Sequence, residues 1–164
     1  MNIASLSENK EIEKRLAVTP EITKKYIDLG LNLFLPNNYG SHLGFNDDEY
    51  KSYGVNFLDS DEEIINKADI IVQLGMLEDK RLSLFKENQT LVGSLDSFSN
   101  KEKIKSLNSK KINCFSLEML PRITRAQSMD ILSSQANLAG YKAVIEAFQV
   151  YEKAIPMMMT AAGT

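Results

Sequence analysis

Short apolar runs alternate with amphipathic segments along the first 117 residues. The runs are continuous rather than alternately polar, which is typical of strands buried on both faces of a parallel sheet. They fall at 1–6, 32–36, 55–58, 68–74, 90–95 and 112–117. This pattern predicts an α/β protein with a Rossmann-like (flavodoxin-like), doubly wound parallel sheet, although it leaves the order of the strands open.

Helix-start and helix-stop signals lie between these runs. Thr19 is a capping residue, Pro20 suits the first helical position, and Gly30 is a typical residue after a helix end. Ser60 predicts the cap of a second helix. Helices are expected at 20–29, 47–53, 61–67, 78–87 and 100–109.

The pattern changes after Leu117. Residues 129–151 carry apolar side chains at helical spacing, and a helix of that length is about 35 Å long. It is too long for another crossover helix, so we expect it to lead from an N-terminal α/β domain (1–125) into the first edge of an incomplete second, NAD-binding Rossmann domain (126–164). Pro156 is expected to end it, and Met157–Met159 to begin the core of a following strand.

Composition narrows the function. The chain has 164 residues, a net charge of −3, one Cys and one His. No basic excess exists for nucleic acid or an anionic membrane surface. One Cys excludes an internal disulfide, a zinc finger and a CxxC pair, and one His makes a metal site unfavourable. No run is long enough to span a membrane and no signal peptide is evident, so a cytoplasmic location is expected.

The segment 121–141 holds the densest set of polar side chains. Two arginines, two glutamines, an aspartate and several hydroxyls lie just before the long predicted helix, whose N-terminus favours anions. One interpretation is a site for a polyhydroxylated, anionic ligand such as a dinucleotide. The other is that Ser128 or Asp130 is a helix cap and that Arg122 and Arg125 are surface charges.

Three other features have plain structural interpretations beside the chemical ones. Arg15 follows the first strand, where it could bind a carboxylate or form an ion pair with Glu11 or Glu13. The loop Gly40–Gly44 is not a phosphate-binding fingerprint, and its His42 is expected to be an exposed loop residue. Cys114 is expected to be an inert residue within a strand.

The segment Pro121-Arg-Ile-Thr-Arg-Ala-Gln-Ser-Met-Asp-Ile-Leu-Ser-Ser-Gln-Ala-Asn-Leu-Ala-Gly-Tyr141, with Pro156-Met-Met-Met-Thr-Ala-Ala-Gly-Thr164, closely resembles the alpha subunit of proton-translocating NAD(P) transhydrogenases. Arg15–Pro20, the loop Gly40–Asp47 and Ala68–Ile71 more weakly resemble the N-terminal domain that this subunit shares with alanine dehydrogenase. The resemblance covers the whole chain.

The resemblance implies a Si-/Re-specific, proton-translocating oxidoreductase in which hydride passes directly between NAD(H) and NADP(H). Contacts to the nicotinamide and its ribose would come from residues around the Arg-Ala-Gln loop. The carried-over contact residues are Arg122, Ile123, Thr124, Gln127, Asp130 and Ser133, with no metal. Gln127 would position the nicotinamide for hydride transfer.

The resemblance also implies partners. They would be a second alpha subunit, forming a homodimer, and a beta subunit with membrane and NADP(H)-binding domains. The complex would place this segment, without a span of its own, on the cytoplasmic face of the inner (plasma) membrane as a peripheral component. The 164 residues by themselves are expected to be inactive.

Two alternatives remain. An alanine dehydrogenase-like oxidoreductase would need a substrate lysine near 72–76 and a catalytic histidine near 93–97, and neither is present. A non-catalytic α/β module that dimerises through its long helix would need no cofactor site, which agrees with the lack of a Gly-x-Gly-x-x-Gly fingerprint.

Overall fold

A computed structural model describes residues 1–153, so the expectations for Pro156 and Met157–Met159, and for the edge of a second Rossmann domain, lie outside the described residues. Contacts between Cα atoms divide the chain into two units, 1–121 and 122–164. The predicted boundary at 125/126 stays a prediction. Each unit is described by itself below.

The first unit is a six-stranded sheet in which every pair of neighbouring strands is parallel. The strands are β1 (Asn2–Ala4), β2 (Asn32–Pro36), β3 (Asn56–Leu58), β4 (Ile70–Val72), β5 (Thr90–Gly93) and β6 (Asn113–Ser116). Their order is β3-β2-β1-β4-β5-β6. This is the doubly wound arrangement that the apolar runs predict, and the order reverses between β1 and β4.

Five α-helices connect these strands. They are α1 (Pro20–Asp28), α2 (Asp47–Ser52), α3 (Asp61–Lys67), α4 (Asp79–Ser83) and α5 (Lys101–Ser109). The capping predictions are confirmed, since Thr19 Oγ1 accepts from Ile22 N and Ser60 Oγ accepts from Glu63 N. Gly30 follows α1 with a φ of 76°, a conformation that favours glycine.

The prediction of a helix over 78–87 is wrong in length, because α4 ends at Ser83. Phe85 turns into the core and is 6% exposed. The N–H of Lys86 then donates to the side chain of Gln89 (2.7 Å), and Asn88 adopts a left-handed conformation. A side-chain acceptor thus replaces the helical one and stops the helix.

The two faces of the sheet pack against different helices. On the α3 face, defined by Ala4, Ile71, Leu91 and Cys114, the strands share a buried cluster with α3, α4 and α5. The thiol of Cys114 packs here, and burial raises its pKa. On the α1 face, Ile3, Leu33 and Leu35 are buried against α1 and α2. The α1 face continues over β4, β5 and β6, where the described residues place no helix in either cluster.

Two tyrosines anchor the core of the α1 face. Tyr39 and Tyr50 are buried and meet edge to face, with ring centroids 6.1 Å apart. The hydroxyl of Tyr39 bonds Ser5 Oγ (2.8 Å), and that of Tyr50 donates to Val18 O (3.0 Å). Burial raises the pKa of Tyr39 to about 12 and raises the pKa of Tyr50 as well.

The second unit begins with a 3-10 helix, Thr124–Met129, and continues as α6 (Ile131–Val150). The long helix predicted from 129 to 151 is therefore present, two residues shorter at its start and one at its end. Its large apolar side chains are exposed, among them Leu138, Tyr141 and Phe148.

Candidate functional site

The segment predicted to bind a dinucleotide forms the turn that precedes α6. The N–H of Ala126 donates to Ile123 O (2.9 Å), and Ala126 is the only buried side chain in residues 122–150. Thr124 and Gln127 lie on the same 3-10 helix and are exposed. The small alanine thus fixes the turn while the polar residues beside it face outward.

Asp130 is the N-cap of α6. Its Oδ1 accepts from Ser133 N (3.0 Å), and its Oδ2 accepts from the Ser133 hydroxyl (2.6 Å). This confirms the capping interpretation of Asp130. Because the hydroxyl proton is directed at the carboxylate, the outer lone pairs of Ser133 Oγ remain available as acceptors.

The charge at this helix start is held in place by local contacts. The hydroxyl of Ser133 lowers the pKa of Asp130, the Ser133 N–H adds to the effect, and the positive charge of Arg122 contributes further. Arg122, Asp130 and Ser133 are therefore brought together. Within residues 1–153, the side chains of Thr124 and Gln127 form no hydrogen bond, so their polar groups are open to a ligand.

A second concentration of polar groups lies where the strand order reverses. Gln73 follows β4 and is 2% exposed. Its Oε1 accepts from Leu6 N (2.6 Å) and Ser5 Oγ (3.1 Å), and its Nε2 donates to Glu8 Oε1 (3.1 Å). One buried amide therefore joins the carboxyl ends of β1 and β4, the edge at which open α/β sheets bind ligands.

Glu8 completes this connection. Its Oε1 also accepts from Leu74 N (2.7 Å). Burial raises the pKa of Glu8, and the nearby charge of Glu13 adds to that effect. The backbone donor at Leu74 and the charge of Arg81 oppose it, but less strongly.

Two cavities meet at Glu8 and Arg81, with volumes of about 740 and 370 Å³. Arg81 crosses between them, since its Nε donates to Asp61 Oδ2 and its Nη1 to Ser7 O, both at 2.8 Å. Sequence reasoning missed Glu8, Gln73 and Arg81. The one local signal was a glutamine at the end of an otherwise apolar run.

Arg15 has the plain structural role that was considered for it. Its guanidinium bonds both carboxylate oxygens of Glu13, at 2.8 and 2.5 Å. His42 is exposed, as expected, with Nε2 2.8 Å from Lys14 O. In the loop at 40–44, a Cβ on Gly40 would lie 2.8 Å from the Phe45 Cβ, so close packing rather than phosphate binding accounts for that glycine.

Residues 1–153 contain neither a metal cluster nor a membrane-crossing helix. Within this range, no group of three or more His, Cys, Asp and Glu side chains is arranged to hold a metal ion. No helix in the same range combines the length and the apolar character that crossing a bilayer requires.

The fold defines a Rossmann-like α/β protein with a polar turn at the start of a long helix. Its family follows from comparison: the model described as "Alanine dehydrogenase/PNT, N-terminal domain" matches residues 5–139, and the chain belongs to this family. The resemblance seen in the sequence is thereby confirmed.

Individual relatives agree with this placement. The first of the polypeptides that make up the NAD(P) transhydrogenase alpha subunit of Rickettsia prowazekii is 44% identical over 168 residues, and its counterpart from Rhodospirillum rubrum is 38% identical over 169. Each match covers 100% of this chain and 44% of the relative, so the chain spans less than half of their length.

Solved structures give the same result. A transhydrogenase from Sinorhizobium meliloti superposes with a TM-score of 0.87 at 36% identity, over 99% of this chain and 48% of the other. An L-alanine dehydrogenase superposes with a TM-score of 0.67 at 20% identity over 72% of this chain, which reflects a shared fold. The chain is accordingly a member of an oxidoreductase family with a Rossmann-like fold.

Proposed function

We propose that this chain supplies part of the NAD(H)-binding component of a proton-translocating NAD(P) transhydrogenase. The observation that carries the proposal is the turn 122–133, in which exposed amide, hydroxyl and guanidinium groups surround a helix N-terminus. The names of the relatives from Rickettsia prowazekii and Rhodospirillum rubrum support it.

The donor set of this turn fits the nicotinamide end of a dinucleotide. Gln127 carries both an amide donor and an amide acceptor, which complement a carboxamide group. Ser133 offers acceptor lone pairs because its own proton is directed at Asp130. Arg122 adds a positive charge, and the backbone at Ile123 and Thr124 borders the same turn. Bound NAD(H) would donate or accept a hydride at its nicotinamide ring.

The residues of the turn would act by alignment. Hydride transfer between two nicotinamides moves no proton, so no acid or base is needed at the reacting atoms. Gln127 would fix the ring, Asp130 and Ser133 would hold the ribose side, and the turn would keep these groups in place through Ala126. Near-contact alignment of reactants is itself a large source of rate enhancement.

The proposal extends to the assembly. NADP(H) would be bound by a partner, the beta subunit, which would also carry the membrane domain and couple hydride transfer to proton movement. The alpha subunit would form a homodimer on the cytoplasmic face of the inner membrane. The word "subunit" in the relatives' names supports a multi-subunit enzyme.

A chimaera tests the proposal. Residues 1–164 would replace the matching stretch of the Rickettsia prowazekii relative, and hydride transfer from NADH to an NADP+ analogue would be measured in membranes with the beta subunit. We expect activity, and we expect Gln127→Asn to lower the rate about tenfold, or about 1.4 kcal/mol in the barrier, while NADH affinity changes by less than about twofold. Gln149→Asn, an exposed glutamine far along α6, is the matched control.

The other outcomes separate the alternatives. Equal losses of affinity and rate in Gln127→Asn would show that its role is binding rather than alignment. Alanine-dependent reduction of NAD+ would favour an alanine dehydrogenase, although the pairing of Arg15 with Glu13 argues against it. A folded chimaera that binds no NADH would favour the non-catalytic module. The 164-residue chain alone is expected to bind NADH weakly.

A further inference from the structure

The α1 face of the sheet becomes steadily more exposed from its centre to one edge. Ile3 of β1 is 5% exposed. Ile70 and Val72 of β4 are half-buried. Val92 of β5 is half-buried as well, but belongs to neither buried cluster. At the edge, Phe115 of β6 is 59% exposed.

The register makes these side chains one surface. Val72 pairs with Val92, and Val92 pairs with Phe115, so the three lie in a row across β4, β5 and β6. A second row lies beside it on the same face, since alternate residues of a strand share a face. That row consists of Ile70, Thr90 and Asn113. None of the six side chains is charged, and we call them the open strip.

The connections of the chain explain why the strip is open. Crossovers between parallel strands are right-handed, so strands added in one direction place their helices on the same face. The helices α4 and α5 connect β4, β5 and β6, and both pack on the α3 face. The connections of these three strands therefore cannot cover the strip. On the opposite side of the same sheet, α3, α4 and α5 bury the strands fully.

The size and chemistry of the strip fit one kind of partner. A parallel sheet normally has helices packed on both faces. An uncharged row of Val, Val and Phe matches the apolar stripe of an amphipathic helix. Relatives contain polypeptide that could supply one: the chain covers 44% of the Rickettsia prowazekii relative and 48% of the Sinorhizobium meliloti transhydrogenase.

We propose that the open strip docks an amphipathic helix from the portion of the relatives' polypeptide that has no counterpart in this chain. The helix would lie on the α1 face over β4–β6, with apolar side chains on Val72, Val92 and Phe115. This inference does not depend on hydride transfer, since it concerns how the sheet is covered rather than what the turn at 122–133 binds.

The test uses the 164-residue chain and peptides of about 20 residues, each long enough for about 30 Å of helix. The peptides tile the unmatched portion of the Rickettsia prowazekii relative, and binding is followed by fluorescence anisotropy. We expect an amphipathic peptide to bind, and Phe115→Glu to weaken its binding at least about tenfold, because a charge would be buried against apolar groups. Phe98→Glu is the matched control, since Phe98 is 69% exposed in a loop outside the strip.

Several results would overturn the proposal. One is that no peptide binds the parent chain, and another is that Phe115→Glu and Phe98→Glu bind equally well. A dimer in sedimentation that Phe115→Glu abolishes would show that a second copy covers the strip instead. Covalent footprinting of Val92 and Phe115 in the parent, with and without peptide, gives the answer even if Phe115→Glu fails to fold; unchanged labelling would contradict docking.

Discussion

Gln73 and Gln127 carry the same side chain in opposite settings. Gln73 is buried, and its amide binds the β1 end and Glu8 with four hydrogen bonds. Gln127 is exposed, and its amide binds no described residue. The difference teaches that residues 1–121 use polar groups to hold strands together, whereas the turn at 122–133 presents them outward. Burial and hydrogen bonding, not residue type, separate structural from candidate binding groups.

The largest effect is expected from Gln73→Leu. The substitution leaves the Leu6 N–H buried without an acceptor and removes a partner of Glu8, at a cost of about 3 kcal/mol. Urea unfolding followed by far-ultraviolet circular dichroism measures the loss. Gln127→Leu is the comparison and should change stability by less than about 0.5 kcal/mol. Similar losses in the two variants would remove the distinction between the regions.

The next effect concerns the turn. In the chimaera, Arg122→Ala and Asp130→Asn should each weaken NADH binding about tenfold, or about 1.4 kcal/mol. Arg122 loses its charge, and Asp130→Asn loses the anionic acceptor of the Ser133 hydroxyl. Arg125→Ala removes a neighbouring exposed arginine and should leave affinity unchanged. Calorimetry measures all three, and unchanged affinity in both site variants would refute the assignment.

A smaller effect is expected from Ser60→Ala in the first unit. The substitution removes the acceptor of Glu63 N at the start of α3, and loss of such a cap costs about 1 kcal/mol. Chemical denaturation detects it, with Ser52→Ala as the control because its hydroxyl bonds only a carbonyl within α2. A cost at Ser60 no larger than that at Ser52 would contradict the capping role.

The smallest effect is a pH dependence at Glu8. Burial and Glu13 raise its pKa above the ordinary 4.5, so the folded chain holds this proton more tightly than the unfolded chain. The resulting stabilisation is complete below about pH 4.5 and is lost as pH rises through the pKa of the folded state. Glu8→Gln should flatten this part of the stability profile, measured as urea midpoints against pH. An identical slope in the variant would assign the effect to another group.

Local signals predicted much of the fold. The continuous apolar runs indicated the parallel sheet, and Thr19, Ser60 and Gly30 marked helix ends correctly. The end of α4 was missed because it depends on the side chain of Gln89, which also holds the carbonyls of Ile65 and Ala68. Such contacts bridge more than 20 positions and leave no periodic pattern in the sequence.

The polar groups of the sheet edge were beyond reach for the same reason. Gln73 and Leu6 bond across 67 positions, and Arg81 and Ser7 across 74. Which residues meet there depends on β1 and β4 being neighbours, an order that the sequence left open. By contrast, the turn at 122–133 could be singled out in advance because its polar residues are consecutive, although the cap formed by Asp130 needed the structure to distinguish it from Ser128.

The buried pair of Tyr39 and Tyr50 gives the molecule an optical reporter of its own integrity. The chain has six tyrosines and no tryptophan, so its near-ultraviolet spectrum is a tyrosine spectrum. With the pKa of Tyr39 at about 12 and that of Tyr50 also raised, neither ring contributes tyrosinate absorbance at moderately alkaline pH while the core is intact. Any variant that loosens the α1 side of the core should therefore gain tyrosinate absorbance in base before it loses its helices.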